Sequence, residues 1–136
     1  MDTAEMRRRF EAARVARLAT VRDDGRPHLV PVSFAVDGDL IVSVVDDKPK
    51  RRAELQRLAN VRAEPAVSLL VDQYDDDWTH LWWVRADGIA AVLETGGEHA
   101  RAIDLLVAKY AQYQARRPAG ATLVIAVEAW RGWSAS

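Results

Sequence analysis

The chain has 136 residues, 49% of them hydrophobic, and a formal net charge of −1. That balance fits one compact domain over residues 1–136 and excludes a general nucleic-acid binder, which carries a strong basic excess. Cysteine is absent, which excludes disulfides, thiolate catalysis and cysteine-bound metal together. The expectation is a cytoplasmic protein with no membrane partner. The early apolar run 15–21 is short and broken by Arg17, unlike a signal peptide, and no run approaches the ~20 apolar residues of a membrane span.

Asp2 caps a helix expected over residues 3–13, with Glu5 at the capping-box position and Met6 and Phe10 forming its apolar edge. Arg7, Arg8 and Arg9 follow the pattern of a solvated face, with a phosphate contact as the alternative. Residues 15–21 form a strand, and Asp23-Asp24-Gly25 is a hairpin turn. The second strand is expected over 27–36, with Pro31 inside it, so the strand is an edge there or carries a bulge. Asp37-Gly38-Asp39 turns the chain into a third strand, 40–45, completing an antiparallel meander.

Leu55, Leu58 and Val61 recur at helical spacing, and Glu64-Pro65 ends that helix before a fourth strand at 66–72. After an acidic loop, residues 80–86 and 89–94 read as one long strand, interrupted by a bulge or turn at Asp87-Gly88. A helix over 98–110 places Ile103, Leu106 and Val107 inward. A polar stretch, 112–120, leads to a last strand from 121 to about 130, then a Trp-Arg-Gly-Trp tail, taking the terminal barrel segment to 133. Six strands and three helices in this order predict a mainly β chain, a small barrel with peripheral helices.

The anomaly is a cluster of cations, Lys48, Lys50, Arg51 and Arg52, at the start of the second helix. Cations there oppose the helix dipole by about 0.3–1 kcal/mol each. Asp46 and Asp47 offset part of this as caps. Two readings stand: a solvated basic turn, or a site for an anion, most simply phosphate. Five tryptophans also need accounting for. Trp82 and Trp83 point to opposite strand faces, so one enters the core. Trp78, Trp130 and Trp133 stand at segment ends, where little core is left to cover them. They fill core and a dimer interface, or stack on a planar ring.

His28, His80 and His99 lack metal-ligand spacing, and His28 reads as structural. Asp75, Asp76 and Asp77 read as an exposed loop without the glycine and glutamate of an EF-hand. Ser33, Ser43 and Ser68 have no nucleophile-elbow context, and no Gly-rich phosphate loop is present.

The blocks ARLATVRDDGRPHLVPVSF, KPKRR, NVRAEPAVSLLVDQYDDDW and LWWVRADG resemble the split β-barrel flavin and deazaflavin proteins. They are most similar to coenzyme F420-dependent oxidoreductases of the pyridoxamine-phosphate-oxidase-like class. The resemblance implies an FMN-binding-like, six-stranded antiparallel split barrel and a homodimer whose cofactor sites lie at the subunit interface. It implies F420 as cofactor, with FMN as the alternative. Lys48, Lys50, Arg51 and Arg52 would clamp the cofactor phosphate, and the backbone of Pro31, Val32 and Ser33 would border the ring. Ala19 and Thr20 would lie nearby, and Trp78 or a C-terminal tryptophan of the partner would close over it. The implied reaction is hydride transfer between the deazaflavin and a small unsaturated or quinone-like molecule. Alternatives are an FMN-dependent oxidoreductase, a non-catalytic F420 carrier, and a haem-related or purely structural dimer. Hydride transfer needs position, stacking and exclusion of water more than a protein nucleophile, so no catalytic side chain is assigned. A required proton would come from solvent, Tyr74 or His80, and the exposed arginines Arg7 to Arg9 would meet the cofactor's polyglutamate tail.

Overall fold

Asp2 caps α1 (Thr3–Ala12), its carboxylate accepting the Glu5 N–H at 2.8 Å. The structure, a computed structural model, describes residues 1–45 and 52–136, with side chains described for 1–45 and 56–136. The strands are β1 (Ala16–Val21), β2 (Pro27–Val32), β3 (Ala35–Asp37), β4 (Leu40–Val44), β5 (Ala66–Gln73), β6 (Trp82–Leu93) and β7 (Thr122–Ser134). The remaining helices are α2 (Arg52–Ala63), α3 (Gly97–Lys109) and the short α4 (Ala111–Ala115). A single 3-10 turn covers Trp78–His80.

All seven strands join one antiparallel sheet in the order β2-β1-β5-β6-β7-β4-β3. The two edge strands, β2 and β3, are consecutive in the chain and separated only by Ser33 and Phe34. Two intervening residues span about 11 Å at most. The sheet therefore curls until its edges approach, which makes it a split barrel. This corrects the expected strand count from six to seven. The run 27–36 is not one strand: it leaves one edge at Val32 and enters the other at Ala35.

Tyr110 makes the break possible. Its hydroxyl accepts the Phe34 N–H at 3.0 Å and lies 3.0 Å from the carbonyls of Phe34 and Arg14. The Ser43 hydroxyl donates to the Ser33 carbonyl at 2.7 Å. Backbone groups that a continuous strand would have put into the ladder are thus satisfied by side chains, as burial requires. Pro31 lies on β2, an edge strand paired only with β1, where its missing N–H costs nothing.

The barrel interior is filled by alternating residues, including Leu18, Ile41, Leu69, Val84 and Ile125. Burial of each such side chain contributes roughly 1.5–3 kcal/mol. α1 closes one end through Phe10, whose ring meets Phe34 edge-on at 5.0 Å and Trp130 at 5.4 Å. Trp130 is therefore core, against the expectation for a segment end, because β7 continues four residues beyond it. Its indole donates to Asp39 at 3.0 Å. Leu58 and Val61 of α2 join the same core. A second core lies outside the barrel, where Ala102, Ile103, Leu106 and Tyr110 pack on Ala35, Val42 and Val44.

The expected irregularity in the long strand is a register shift in the β6–β7 pairing between Asp87 and Gly88. A Cβ at Gly88 would run into the Ala126 carbonyl, so the close approach of β7 at the bulge requires glycine.

Candidate functional site

The end of β2 and the Ser33–Phe34 crossing open onto a cleft of about 510 Å³. Pro31, Val32 and Ser33 form one wall, and Arg14, Tyr110, Gln112, Tyr113 and Arg116 contribute the rest with Val15 and Pro118. The Ser33 and Tyr113 hydroxyls are 2.7 Å apart, and the Tyr110 and Tyr113 rings meet edge-on at 5.5 Å. Arg14 donates to the Lys109 carbonyl at 3.1 Å and lies 4.7 Å over the Tyr110 ring. Burial raises the Tyr110 phenol above its ordinary range, so it stays protonated as the hub of the Phe34 contacts.

Lys109 packs beside this corner. Its ammonium donates to the Glu11 carbonyl at 3.0 Å and lies 3.8 Å over the Phe34 ring. Burial, then repulsion from Arg14, pushes Lys109 down to about 8, with Glu11 opposing the shift. The corner is electropositive.

A wider groove of about 620 Å³ crosses the outer face of the sheet. Ala19 of β1, Leu29 of β2, Leu70 of β5, Trp83 of β6 and Trp133 of β7 face it. Leu29 is 67% exposed and Trp133 48% exposed, an apolar surface that a monomer leaves wet.

The expected site residues separate into four groups. Pro31, Val32 and Ser33 come together in the cleft. Thr20 faces inward: it is buried, and its hydroxyl accepts the Asn60 amide of α2 at 2.9 Å, while Asn60 accepts from Gln56 at 2.7 Å. Its neighbour Ala19 faces the outer groove, as strand alternation requires. Trp78 begins the 3-10 turn and is 69% exposed. Lys48, Lys50 and Arg51 lie outside the described residues, as does the side chain of Arg52. In sequence, the segment comes after Ser43, the partner of the Ser33 carbonyl, past Val44, the last residue of β4, and Val45.

His28 opposes Thr20 on the neighbouring strand, and its Nδ1 is buried without a hydrogen-bond partner. Burial, Arg22 and Arg57 lower its pKa and keep the ring neutral. His80 is held by Asp75 at 3.2 Å and Asp77 at 3.6 Å. Among the described residues no group of three or more His, Asp or Glu could hold a metal ion. No helix among them is long and apolar enough to cross a membrane.

Sequence reasoning did not single out Arg14, Tyr110, Tyr113 or Arg116. The signal was present in KYAQYQARRP, where two tyrosines three apart precede a basic pair, but it read as a polar connection.

Several solved structures share this fold. A conserved hypothetical protein of Mycobacterium tuberculosis matches with a TM-score of 0.80 and 24% identity, over 99% of this chain and 86% of that one. A FAD-binding protein of Mesorhizobium loti matches with a TM-score of 0.76 and 23% identity, over 97% and 92%. The HupZ protein of Group A Streptococcus matches with a TM-score of 0.70 and 18% identity, over 98% and 95%. At these identities the likeness shows the fold alone. No curated protein matches the chain. The pyridoxamine 5'-phosphate oxidase family model matches residues 2–134, nearly the full length. The chain belongs to the pyridoxamine 5'-phosphate oxidase family.

Proposed function

We propose that the protein is a flavin-type oxidoreductase that uses coenzyme F420, transferring hydride between the deazaflavin and a small unsaturated or quinone-like molecule. The observation that carries this reading is the cleft beside Ser33. It combines apolar walls from Pro31 and Val32 with donors from Ser33, Gln112, Tyr113 and Arg14 in about 510 Å³. A volume of that order, with apolar walls and several polar groups to fix orientation, suits a heterocyclic ring. The residues fit the group: the hydroxyls and the amide match the carbonyl and nitrogen edge of a flavin or deazaflavin. Family membership and the FAD-binding protein of Mesorhizobium loti among the structural neighbours support a flavin-type cofactor.

When bound, the reduced deazaflavin supplies a hydride. The chain binds, orients and excludes water. Pro31 to Ser33 set the ring's position, and Lys48, Lys50, Arg51 and Arg52 hold its phosphate by charge. Thr20 acts through Asn60, fixing α2 against β1. A second copy of the chain covers the outer groove, burying Leu29, Leu70 and Trp133. Trp78 of that copy closes over the cofactor. FMN in place of F420 is the second reading, favoured by the FAD-binding neighbour.

Titrating the purified protein with F420 and with FMN, following cofactor fluorescence, tests the reading. Lys50→Ala is expected to weaken F420 binding while leaving the unliganded melting temperature unchanged. Equal affinity in variant and parent would remove the phosphate clamp from the account. Light scattering at micromolar concentration is expected to give the mass of a dimer rather than that of a 15.2 kDa monomer.

A further inference from the structure

Among the described residues, the contacts of the cleft leave its positive charge without a carboxylate partner. Arg14 and Arg116 both line it, and no aspartate or glutamate among the described residues does. Arg14 is engaged by a carbonyl and an aromatic ring, neither of which neutralises a guanidinium. Arg116 is exposed, and among the described residues it makes no ion pair, whereas its neighbour Arg117 is paired with Asp104 at 2.7 Å. Beside the cleft, burial and then Arg14 lower the pKa of Lys109, with Glu11 opposing the shift.

We infer that the cleft takes an acceptor bearing a carboxylate, its charged end on Arg14 and Arg116 and its unsaturated body against Val32 and Tyr113. This rests on the cleft being the reaction site and names the substrate class for it. A guanidinium is suited to the task because its planar fork matches both carboxylate oxygens. Reduction of an unsaturated acid there balances simply. The β-carbon of the acceptor gains a hydride from the reduced cofactor, the α-carbon gains a proton from water, and the double bond becomes single. The cofactor loses the two electrons that the acceptor gains.

The carboxylate on these arginines has two sources, the acceptor or the glutamate tail of the deazaflavin, and the test separates them. Cinnamate and its neutral amide, cinnamamide, are titrated into the protein with and without F420, read by ligand-observed NMR. Cinnamate is expected to bind about tenfold tighter than the amide, the scale of one or two charge-assisted contacts. Arg116→Gln is expected to remove most of that difference and leave the amide's affinity and the melting temperature unchanged. Equal binding of acid and amide would overturn the inference. So would an Arg116→Gln variant that loses affinity for F420 but keeps full discrimination for cinnamate, which assigns the arginine to the tail. If F420 and FMN both fail to bind while the arginine-dependent preference for cinnamate persists, the carboxylate site stands and the cofactor reading falls.

Discussion

The Tyr110 hydroxyl lies 3.0 Å from both the N–H and the carbonyl of Phe34, the residue at which the chain crosses from one edge of the sheet to the other. One phenol thereby replaces ladder partners at the split of the barrel and places Ser33 beside Tyr113 in the cleft. Tyr110→Phe keeps the ring but strands a buried N–H. A loss of about 1–3 kcal/mol is expected, the cost of an unsatisfied buried donor, measured by urea denaturation. A loss below a few tenths would mean that Phe34 finds another partner.

Gly88 sits at the bulge where β7 approaches so closely that any side chain meets the Ala126 carbonyl. Gly88→Ala forces backbone to move in the longest strand pair of the sheet. A destabilisation of at least about 1–3 kcal/mol is expected. Gly25→Ala in the exposed β1–β2 turn meets no neighbouring atom and is strained only by its positive φ of 84°, so it separates steric from conformational cost.

Thr20 and Asn60 are buried partners between β1 and α2. Thr20→Val is nearly isosteric and leaves the Asn60 amide short of an acceptor. The variant should lose about 1–3 kcal/mol of stability. Cofactor affinity should change only slightly, because Thr20 acts through the seating of α2.

Lys109 supplies a pH dependence. Its folded pKa of about 8 lies below its ordinary value of 10.5, so between these values the unfolded chain binds more protons than the folded one. Stability contributed at this position therefore rises with pH from about 8 towards the unfolded value and is lowest below the folded pKa. The parent is expected to gain melting temperature relative to Lys109→Met as pH rises from about 8 to about 9.5. Parallel curves for the two proteins would show that the ammonium carries no such penalty.

The three longer helices, most of the strands and the bulge at Asp87-Gly88 were legible because each is written in local pattern: alternation, helical spacing, a proline, a glycine. The short α4 falls in the expected polar stretch and was not. The division of residues 27–36 between two sheet edges was not. Its apolar alternation continues through Ser33 and Phe34, and the cause of the break is a tyrosine 76 positions away. Trp130 stands where the sequence pattern of the last strand ends, whereas β7 runs on to Ser134 and turns the indole onto Phe10 and Asp39. The cleft was half legible. Pro31 to Ser33 were reached through a resemblance, while Arg14, Tyr113 and Arg116 join them only by folding from distant segments.

The central claim, that this family member is built around F420, is tested most directly by titrating the purified protein with F420 and FMN in parallel and following cofactor fluorescence. The account predicts micromolar or tighter binding of F420, weakened by Lys50→Ala, with FMN binding more weakly. Failure of F420 to bind, or a clear preference for FMN, would contradict it.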